Sequence, residues 1–321
     1  MIFSVILCTY NRQDLLRAAM ESILKQDFPV DKYEMIVVDN NSLDNTPEIV
    51  EEVRRLNATR NITYVREERQ GLSFARNAGA KAARGRMLAY LDDDSEADAA
   101  WLTELQRTSD AHPDASCIGG KVVGNWDGNE PAWFVGTVRN ILEHNMGDVD
   151  IAIVPPAYFM GCNFAVLRKT LFEIGGFSIN LGYTGNCLLG NEELEILHKL
   201  HERGLATYYS AKAMVYHKAS RNKFTRMYAW RRFYQQGISD VVLERNKRRQ
   251  RRWAYLKKGA KVLVRMLWPR VKSAVNELWR ERRCSTETLI FIAYYLGYSK
   301  ENFLLAVTPI RPHAVEQLKN E

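Results

Sequence analysis

The stretch RMLAYLDDDSEADAAW, residues 86 to 101, joins an apolar run to three consecutive aspartates. The apolar residues at 87 to 91 predict a buried strand that ends at Asp92, Asp93 and Asp94. Adjacent carboxylates repel each other, and no basic residue follows closely, so this strand end needs a cation from elsewhere. Two carboxylates at positions i and i+2 could bind one hard cation such as Mg²⁺ or Mn²⁺. The alternative is a helix cap, in which Asp94 or Ser95 caps the helix that follows.

Strand and helix patterns alternate on both sides of this stretch. Apolar runs predict strands at 2–9, 33–40, 61–67 and 86–92. Helical periodicity predicts helices at 14–26, 45–57, 72–85 and 98–108, with Thr46 as the N-cap of the second and Pro47 at its first helical position. This alternation predicts an α/β fold with a mostly parallel central sheet and flanking helices. In such sheets ligands bind beyond the carboxyl ends of the strands.

The pattern loosens after about residue 115, which suggests three regions. Residues 1–115 form a predicted ligand-binding half, 116–220 a second half of the same domain, and 221–321 a helical C-terminal extension. In the second half we expect a strand at 117–126, long loops to 157, a strand and short helix within 158–177, a helix at 191–204 and an extended segment at 206–218. The Gly- and Trp-rich stretch from Trp126 to Gly136 is a predicted cover over the site.

Composition indicates a folded globular protein. The chain has 321 residues, of which 46% are hydrophobic and 26% are charged. No apolar run reaches the ~18 residues that span a bilayer, and the N-terminus lacks the features of a signal peptide. The cysteines are scattered with no C-x-x-C spacing, so neither a zinc site nor a disulfide framework is indicated. Free cysteines of this kind fit a reducing cytoplasm. They are Cys8, Cys117, Cys162, Cys187 and Cys284.

The positive charge is concentrated near the C-terminus. Residues 241–283, the basic segment, hold fifteen Lys and Arg but three Glu, whereas the whole chain carries a net charge of +7. Trp and Leu residues interleave with these cations, a pattern typical of helices on anionic membrane surfaces. The sequence therefore predicts a cytoplasmic protein that is peripheral on the inner face of the plasma membrane. A helical subdomain that only packs its apolar face is the alternative, and nucleic-acid binding is disfavoured.

Polar clusters follow the other predicted strands. Asp39 ends the second strand and could accept hydrogen bonds from a base or ribose, although Asn40 and Asn41 could make a plain turn there. The TYNR segment at 9–12 offers an aromatic ring and a cation, and the helix opening with GLSFARNAG at 71–79 could face phosphate. Each cluster alone fits ordinary loop or surface residues. Together they outline a nucleotide diphosphate site at one sheet edge.

Six segments resemble the successive motifs of family-2 glycosyltransferases with the GT-A fold. They are VILCTYNR, EMIVVDNNSLDNT, GLSFARNAG, MLAYLDDDSEAD, GCNFAVLRKTLFEIGGF and GNEELEILHKLHERG, followed more weakly by YHKASRNK. The resemblance covers roughly residues 3 to 240. It implies a sugar-nucleotide donor, a divalent cation (Mn²⁺ or Mg²⁺), inversion at the anomeric carbon, and a glycan or lipid-linked acceptor in bacterial polysaccharide or glycoconjugate synthesis.

The resemblance also implies roles for individual residues. The nucleotide-sugar site would comprise Thr9, Tyr10, Arg12, Asp39, Asn41, Asp44, Gly71, Arg76, Asp92 and Asp93. The metal would bind Asp94, Asp92 and His217, and the acceptor side would include Cys162 and Asn163. Arg231 and Arg232 could reach the donor phosphates, although helical arginines are usually just solvated.

The general base would be Glu193, with Glu192 as the fallback. The family usually presents a Glu-Asp pair at the start of this helix, whereas here both residues are Glu, so the second carboxylate reaches further by one methylene. The alternative to a catalytic role is that the helix dipole favours acidic residues in the first turn of any helix.

Other classes of function fit less well. A nucleotidyltransferase usually has a glycine-rich loop after its first strand, and CTYNRQDLL has no glycine. An inactive membrane-associated binding module would not need Asp92, Asp94 and Glu193. A dehydrogenase is disfavoured because no G-x-G-x-x-G follows a strand.

Overall fold

The computed structural model describes residues 1–126, 130–185, 189–247, 252–281 and 285–307. Cys187 and Cys284 lie outside these residues, as do parts of the basic segment and of the predicted cover. The strands are β1 Phe3–Thr9, β2 Tyr33–Asp39, β3 Ile62–Arg66, β4 Met87–Asp92, β5 Ser95–Ala97, β6 Ala115–Asn125, β7 Ile151–Ala152, β8 Asn163–Leu167 and β9 Ala206–Lys218. The helices are α1 Gln13–Leu24, α2 Thr46–Leu56, α3 Leu72–Ala82, α4 Trp101–Ala111, α5 Arg168–Glu173, α6 Glu192–Glu202, α7 Arg226–Lys247, α8 Arg252–Val262, α9 Trp268–Glu281 and α10 Thr286–Val307.

One mixed, mostly parallel sheet organises the chain, as the alternating pattern predicts. Its strand order is β3-β2-β1-β4-β8-β6-β9-β5, with β7 paired to β9. The four N-terminal strands run parallel, and the register pairs Thr9 with Asp39 and Cys8 with Asp92. The polar residues that follow these strands therefore meet at one sheet edge.

Apolar layers cover both faces of the sheet. Every residue of β1 and β2 is buried, because helices pack on both sides of these strands. On one face, α1 buries Leu16, Met20 and Ile23 against the strands, as its periodicity predicts. On the other face, a Cβ added to Gly79 of α3 would lie 2.5 Å from Ile6, so glycine is required for this close helix–sheet approach.

The structure does not support the capping alternative for Asp94 or Ser95, and the predicted N-cap at Thr46 is wrong. Residues Ser95–Ala97 form β5, which pairs with β9, and α4 begins only at Trp101 without a side-chain cap. Asp94 and Ser95 therefore do not cap the next helix. The helix α2 begins at Thr46 rather than after it, and the Asp44 carboxylate accepts hydrogen bonds from the Thr46 amide at 3.2 Å and its hydroxyl at 2.6 Å.

The C-terminal extension is helical, as predicted, and packs on the sheet domain. Helices α7 and α10 cross with their backbones in contact, since a Cβ on Gly237 would lie 2.1 Å from the Tyr294 carbonyl oxygen. Exposed aromatic and aliphatic side chains remain on α8, α9 and the π-helical turn between them, Leu263–Leu267. Within the described ranges, no helix is both long and apolar enough to cross a membrane.

Candidate active site

A cavity of about 1140 Å³ opens at the carboxyl ends of β1 and β4. It brings together most of the residues that the sequence singled out, from segments far apart in the chain. They are Thr9, Tyr10, Arg12, Gly71, Arg76, Asp92, Asp93, Asp94, Cys162, Glu192, Glu193 and His217. Asp39, Asn41, Asp44 and Asn163 do not line it.

The three aspartates are matched by basic side chains from other elements. Arg12, at the start of α1, places Nη1 2.9 Å from Asp93 Oδ1 and 2.8 Å from Asp94 Oδ2. Burial raises the pKa of Asp93 to about 6, although Arg12 opposes that shift. Burial also disfavours the Asp94 carboxylate, but His217 and Lys223 hold the pKa of this group well below its usual range. Asp94 is therefore a carboxylate at neutral pH.

Asp94 and His217 present the two donors that suit a divalent cation. His217 Nε2 lies 3.4 Å from Asp94 Oδ1, and His217 Nδ1 donates to the Leu142 carbonyl oxygen at 2.9 Å. That hydrogen bond uses the Nδ1 proton, so Nε2, the ring nitrogen that faces Asp94, is the one that a neutral His217 could offer to a metal. A carboxylate suits Mn²⁺ and a neutral imidazole is a common metal ligand, so these two residues are compatible with the ion. Among the described residues, no three His, Cys, Asp or Glu side chains are grouped so that they could hold a metal ion, and Asp92 points instead to Arg76.

Arg76 connects the aspartates to the acidic helix start. Its guanidinium is only 1% exposed and donates to Glu192 Oε1 at 2.8 Å, to Asp92 Oδ1 at 3.1 Å and to the Gly161 carbonyl oxygen at 2.9 Å. Because Gly161 has no side chain, the guanidinium can approach its backbone. Arg76 is therefore the counter-ion of two acids that line the cavity.

Arg76 forms ion pairs with Asp92 and Glu192 but not with Glu193. The Oε2 atom of Glu193 is buried and has no hydrogen-bond partner in the described part of the chain. Burial and the negative charge of Glu192 raise the pKa of Glu193 to about 8. A carboxylate with so high a pKa, facing a cavity, is a strong proton acceptor.

Helix α7 holds the loop that presents these two glutamates. Asn191, at φ +75°, donates to Asp240 Oδ1 at 2.7 Å and accepts from Gln236 Nε2 at 2.8 Å. The Gly190 amide donates to the Ser239 hydroxyl at 3.0 Å. The start of α6 is thus fixed by polar residues of the C-terminal extension, which the sequence analysis did not anticipate.

The same extension contributes side chains to the cavity wall. Arg232 and Tyr228 of α7 line the cavity, and the Arg232 guanidinium carbon lies 5.8 Å from the Tyr183 ring centroid. Lys223 lines it from the 3₁₀ turn before α7. The sequence analysis named Arg232 as a residue that could reach the donor phosphates, whereas Lys223 appeared only within the weakly matching segment YHKASRNK and Tyr228 was not anticipated. Arg231 is not among the lining residues.

Three residues predicted for the nucleotide-sugar site, Asp39, Asn41 and Asp44, do not line the cavity and make hydrogen bonds within the protein. Asp39 is fully buried, accepts from the Ser42 amide at 2.8 Å and accepts from the Tyr64 hydroxyl at 2.7 Å. Asn41 accepts from Arg66 at 2.6 Å, and Asp44 accepts from the Gln13 amide at 3.0 Å. Asp39 and Asp44 thereby hold the loops after β1 and β2.

Asn163 lies within the sheet, away from the cavity. Its side-chain amide donates to the carbonyl oxygens of Lys121 and Ala213, and its Oδ1 accepts from Trp101 Nε1 at 2.8 Å. Cys162, the other residue expected on the acceptor side, is buried and does line the cavity.

Trp126 lines the cavity at the start of the predicted cover. Its ring packs 5.6 Å from Phe224 and 5.8 Å from Phe134. Residues 127–129 lie outside the described ranges, so the covering role of this stretch stays a prediction.

Comparisons with known proteins agree with this geometry. The family model described as glycosyl transferase family 2 matches residues 4–179. The chain is 25% identical over 251 residues to the glucosyl-dolichyl phosphate glucuronosyltransferase of Haloferax volcanii, covering 75% of this chain and 77% of that protein.

Solved structures show the same fold. The mannosyltransferase PcManGT from Pyrobaculum calidifontis, in complex with GDP-Man and Mn²⁺, has a TM-score of 0.63 at 18% identity, over 94% of this chain and 86% of that one. Residues 1–349 of TarS from S. aureus, in complex with UDP-GlcNAc, have a TM-score of 0.56 at 18% identity, over 95% of this chain and 91% of that one. These neighbours are GT-A glycosyltransferases, so the fold of this chain is GT-A.

Proposed function

This chain belongs to glycosyl transferase family 2, and we propose that it is an inverting, divalent-metal-dependent member of that family. The proposed reaction moves a sugar from a nucleotide-diphosphate donor to a hydroxyl group of a glycan or lipid-linked acceptor. The observation that carries this proposal is the shared cavity, which is lined by Glu193, an acid with a raised pKa, and by Asp94 and His217, whose side chains could hold a cation.

The donor would lie along the carboxyl ends of β1 and β4. Tyr10 is exposed in the cavity and can stack on a nucleobase, and the basic side chains of Lys223 and Arg232 can face the diphosphate. A divalent cation held by Asp94 and His217 would offset the negative charge that grows on the leaving diphosphate. Asp39 and Asp44 would keep the nucleoside-side loops in place without taking part in bond breaking.

Glu193 would act on the acceptor. As the acceptor oxygen forms its bond to the anomeric carbon, the bond from that carbon to the donor phosphate breaks, and Glu193 takes the proton of the acceptor hydroxyl. One displacement on the face opposite the leaving group inverts the anomeric carbon. Glu192, neutralised by Arg76 at 2.8 Å, would hold the guanidinium in place rather than accept this proton.

A lipid-linked acceptor fits the outer surface of the C-terminal extension. The Haloferax relative is named for glucosyl-dolichyl phosphate, a lipid-linked sugar. In α9, Trp268, Val275 and Trp279 are exposed at spacings of seven and four residues, which places them on one helical face. With the Lys and Arg of the basic segment beside them, these side chains suit an anionic membrane surface. We therefore propose peripheral binding to the cytoplasmic face of a membrane.

A donor screen tests the enzymatic proposal. Nucleotide release (a nucleoside diphosphate from UDP-, GDP- and dTDP-sugars, CMP from CMP-sugars) and thermal stability would be measured with and without Mn²⁺ or Mg²⁺, for wild type and Asp94→Ala. A metal-dependent response to one donor that is absent in the variant supports the proposal. A folded wild type that responds to no donor argues for an inactive binding module.

Vesicle sedimentation tests the membrane proposal separately. We expect binding to vesicles rich in phosphatidylglycerol, weak binding to phosphatidylcholine, and loss of binding in Trp268→Ser/Trp279→Ser. Leu43→Ser is the control, because Leu43 is an apolar residue about as exposed as Trp279 and lies far from α9 in the chain. Equal binding by the two variants contradicts a role for α9.

A further inference from the structure

A lysine lies against both of the donors that fit a cation. Lys223 Nζ is 2.9 Å from Asp94 Oδ2 and 3.5 Å from His217 Nε2. Arg12 Nη1 is 2.8 Å from the same Asp94 oxygen. The Asp94 carboxylate is therefore already paired with two cations of the chain itself.

The position of Lys223 is fixed by a packed turn. Lys223 lies in the 3₁₀ turn Arg221–Phe224, and its amide donates to the Ser220 carbonyl oxygen at 2.9 Å. The next residue, Phe224, packs its ring 4.9 Å from Phe134 and 5.6 Å from Trp126. The lysine side chain is only 15% exposed. The ammonium group is thus directed into the cavity by apolar packing behind it.

A divalent cation and this ammonium group compete for the same ligands. Like charges repel strongly in a partly buried site, and the lysine faces both the Asp94 carboxylate oxygen and the His217 Nε2 atom that a metal would need. Lysine is a compact charge on a flexible four-carbon stem, so it can leave the aspartate without movement of the backbone.

We propose that Lys223 is a built-in competitor of the divalent cation: it fills the cation site of the donor-free protein and must leave Asp94 and His217 before a metal binds there. This inference rests on the proposed metal dependence. A donor diphosphate would give the displaced ammonium a new anionic partner, so nucleotide and metal would each strengthen the binding of the other. The donor-free enzyme would then hold a metal only weakly.

Mn²⁺ binding to the full-length protein without nucleotide tests this inference. The concentration of free Mn²⁺ would be measured by electron paramagnetic resonance, and the Kd for Mn²⁺ would be confirmed by calorimetry. The proteins compared are wild type, Lys223→Met and Lys218→Met. Lys218 lines the same cavity but pairs with Glu96, so its removal controls for the loss of one positive charge. We expect Lys223→Met to tighten Mn²⁺ binding about tenfold or more. Lys218→Met should change the Kd much less.

Further variants keep the test decisive. Lys223→Arg retains the charge and should bind Mn²⁺ as weakly as wild type, and Lys223→Gln replaces the methionine variant if circular dichroism shows that the latter is unfolded. An unchanged or weaker Kd in Lys223→Met, or an equal gain in Lys218→Met, overturns the inference. If Asp94→Ala abolishes binding while Lys223→Met matches wild type, the metal proposal stands and the competition fails. If no folded variant binds Mn²⁺, the metal proposal and the competition by Lys223 both fail. Glycosyl transfer is tested separately, by measuring nucleotide release.

Discussion

The raised pKa of Glu193 gives a sharp prediction for the pH dependence of catalysis. Only the ionised carboxylate can take the acceptor proton, and this group has a pKa of about 8. At pH 7 about one tenth of the free enzyme would carry the active form, and at pH 6 about one hundredth. Because kcat/KM reports the free enzyme, it should rise about tenfold between pH 6 and 7 and level off above about pH 9.

Two variants identify the group behind this rise. Glu192→Gln removes the neighbouring negative charge, the second largest cause of the shift after burial, so the midpoint of the profile should move to lower pH. Glu193→Gln should lose the rise altogether and reduce kcat/KM by about 10²–10⁴-fold. Asp93, with its own pKa of about 6, could titrate in the same profile, and the Glu193→Gln variant separates the two groups.

The assay is the initial rate of nucleoside diphosphate release at subsaturating donor, from pH 5.5 to 9.5 at constant ionic strength. A flat wild-type profile between pH 6 and 8 would refute the assignment. So would a Glu193→Gln variant that keeps full activity, or a Glu192→Gln midpoint that does not move.

Three further predictions concern stability, each measured by urea unfolding followed by circular dichroism. Glu193→Gln should be as stable as wild type near pH 4 and more stable at pH 9. The reason is that the pKa of Glu193 is higher in the folded state than in the unfolded state, so wild-type stability falls as pH rises from about 4.5 to about 8. Equal stability of the two proteins at pH 9 contradicts this prediction. Arg76→Met should lower the free energy of unfolding by about 3–5 kcal/mol, since it leaves buried Glu192 without its partner; a loss near zero would mean that Glu192 becomes neutral or solvated. Gly297→Ala should cost about 1–3 kcal/mol, because its Cβ would lie 2.0 Å from the Tyr234 carbonyl oxygen, and a neutral result would show that α7 and α10 separate easily.

The sheet was predictable because its signals are local. Continuous apolar runs gave β1, β2 and β4 to within a residue or so, and the topology of parallel strands then placed their polar ends together. The short strand β5 was missed because three residues give no measurable period, and its pairing partner β9 lies more than one hundred residues away.

The site was predictable in part, for a different physical reason. Asp39 and Asp92 both end buried strands, and the sequence cannot distinguish them. In the structure, Ser42 and Tyr64 satisfy the Asp39 carboxylate, whereas Asp92 faces the cavity and Arg76. Lys223 reaches Asp94 across 129 residues, a contact that only tertiary packing creates.

The hydrogen bonds between α7 and the start of α6 bear on how this enzyme can be recombined with its relatives. Asn191 is held by Gln236 and Asp240, and Gly190 by Ser239, so the loop before Glu192 and this helix form one polar joint. A chimaera that exchanges residues 1–220 alone would divide that joint. A crossover placed before Gly190 keeps these hydrogen bonds within one parent, and the hybrid then needs an arginine at position 76 to pair with Glu192.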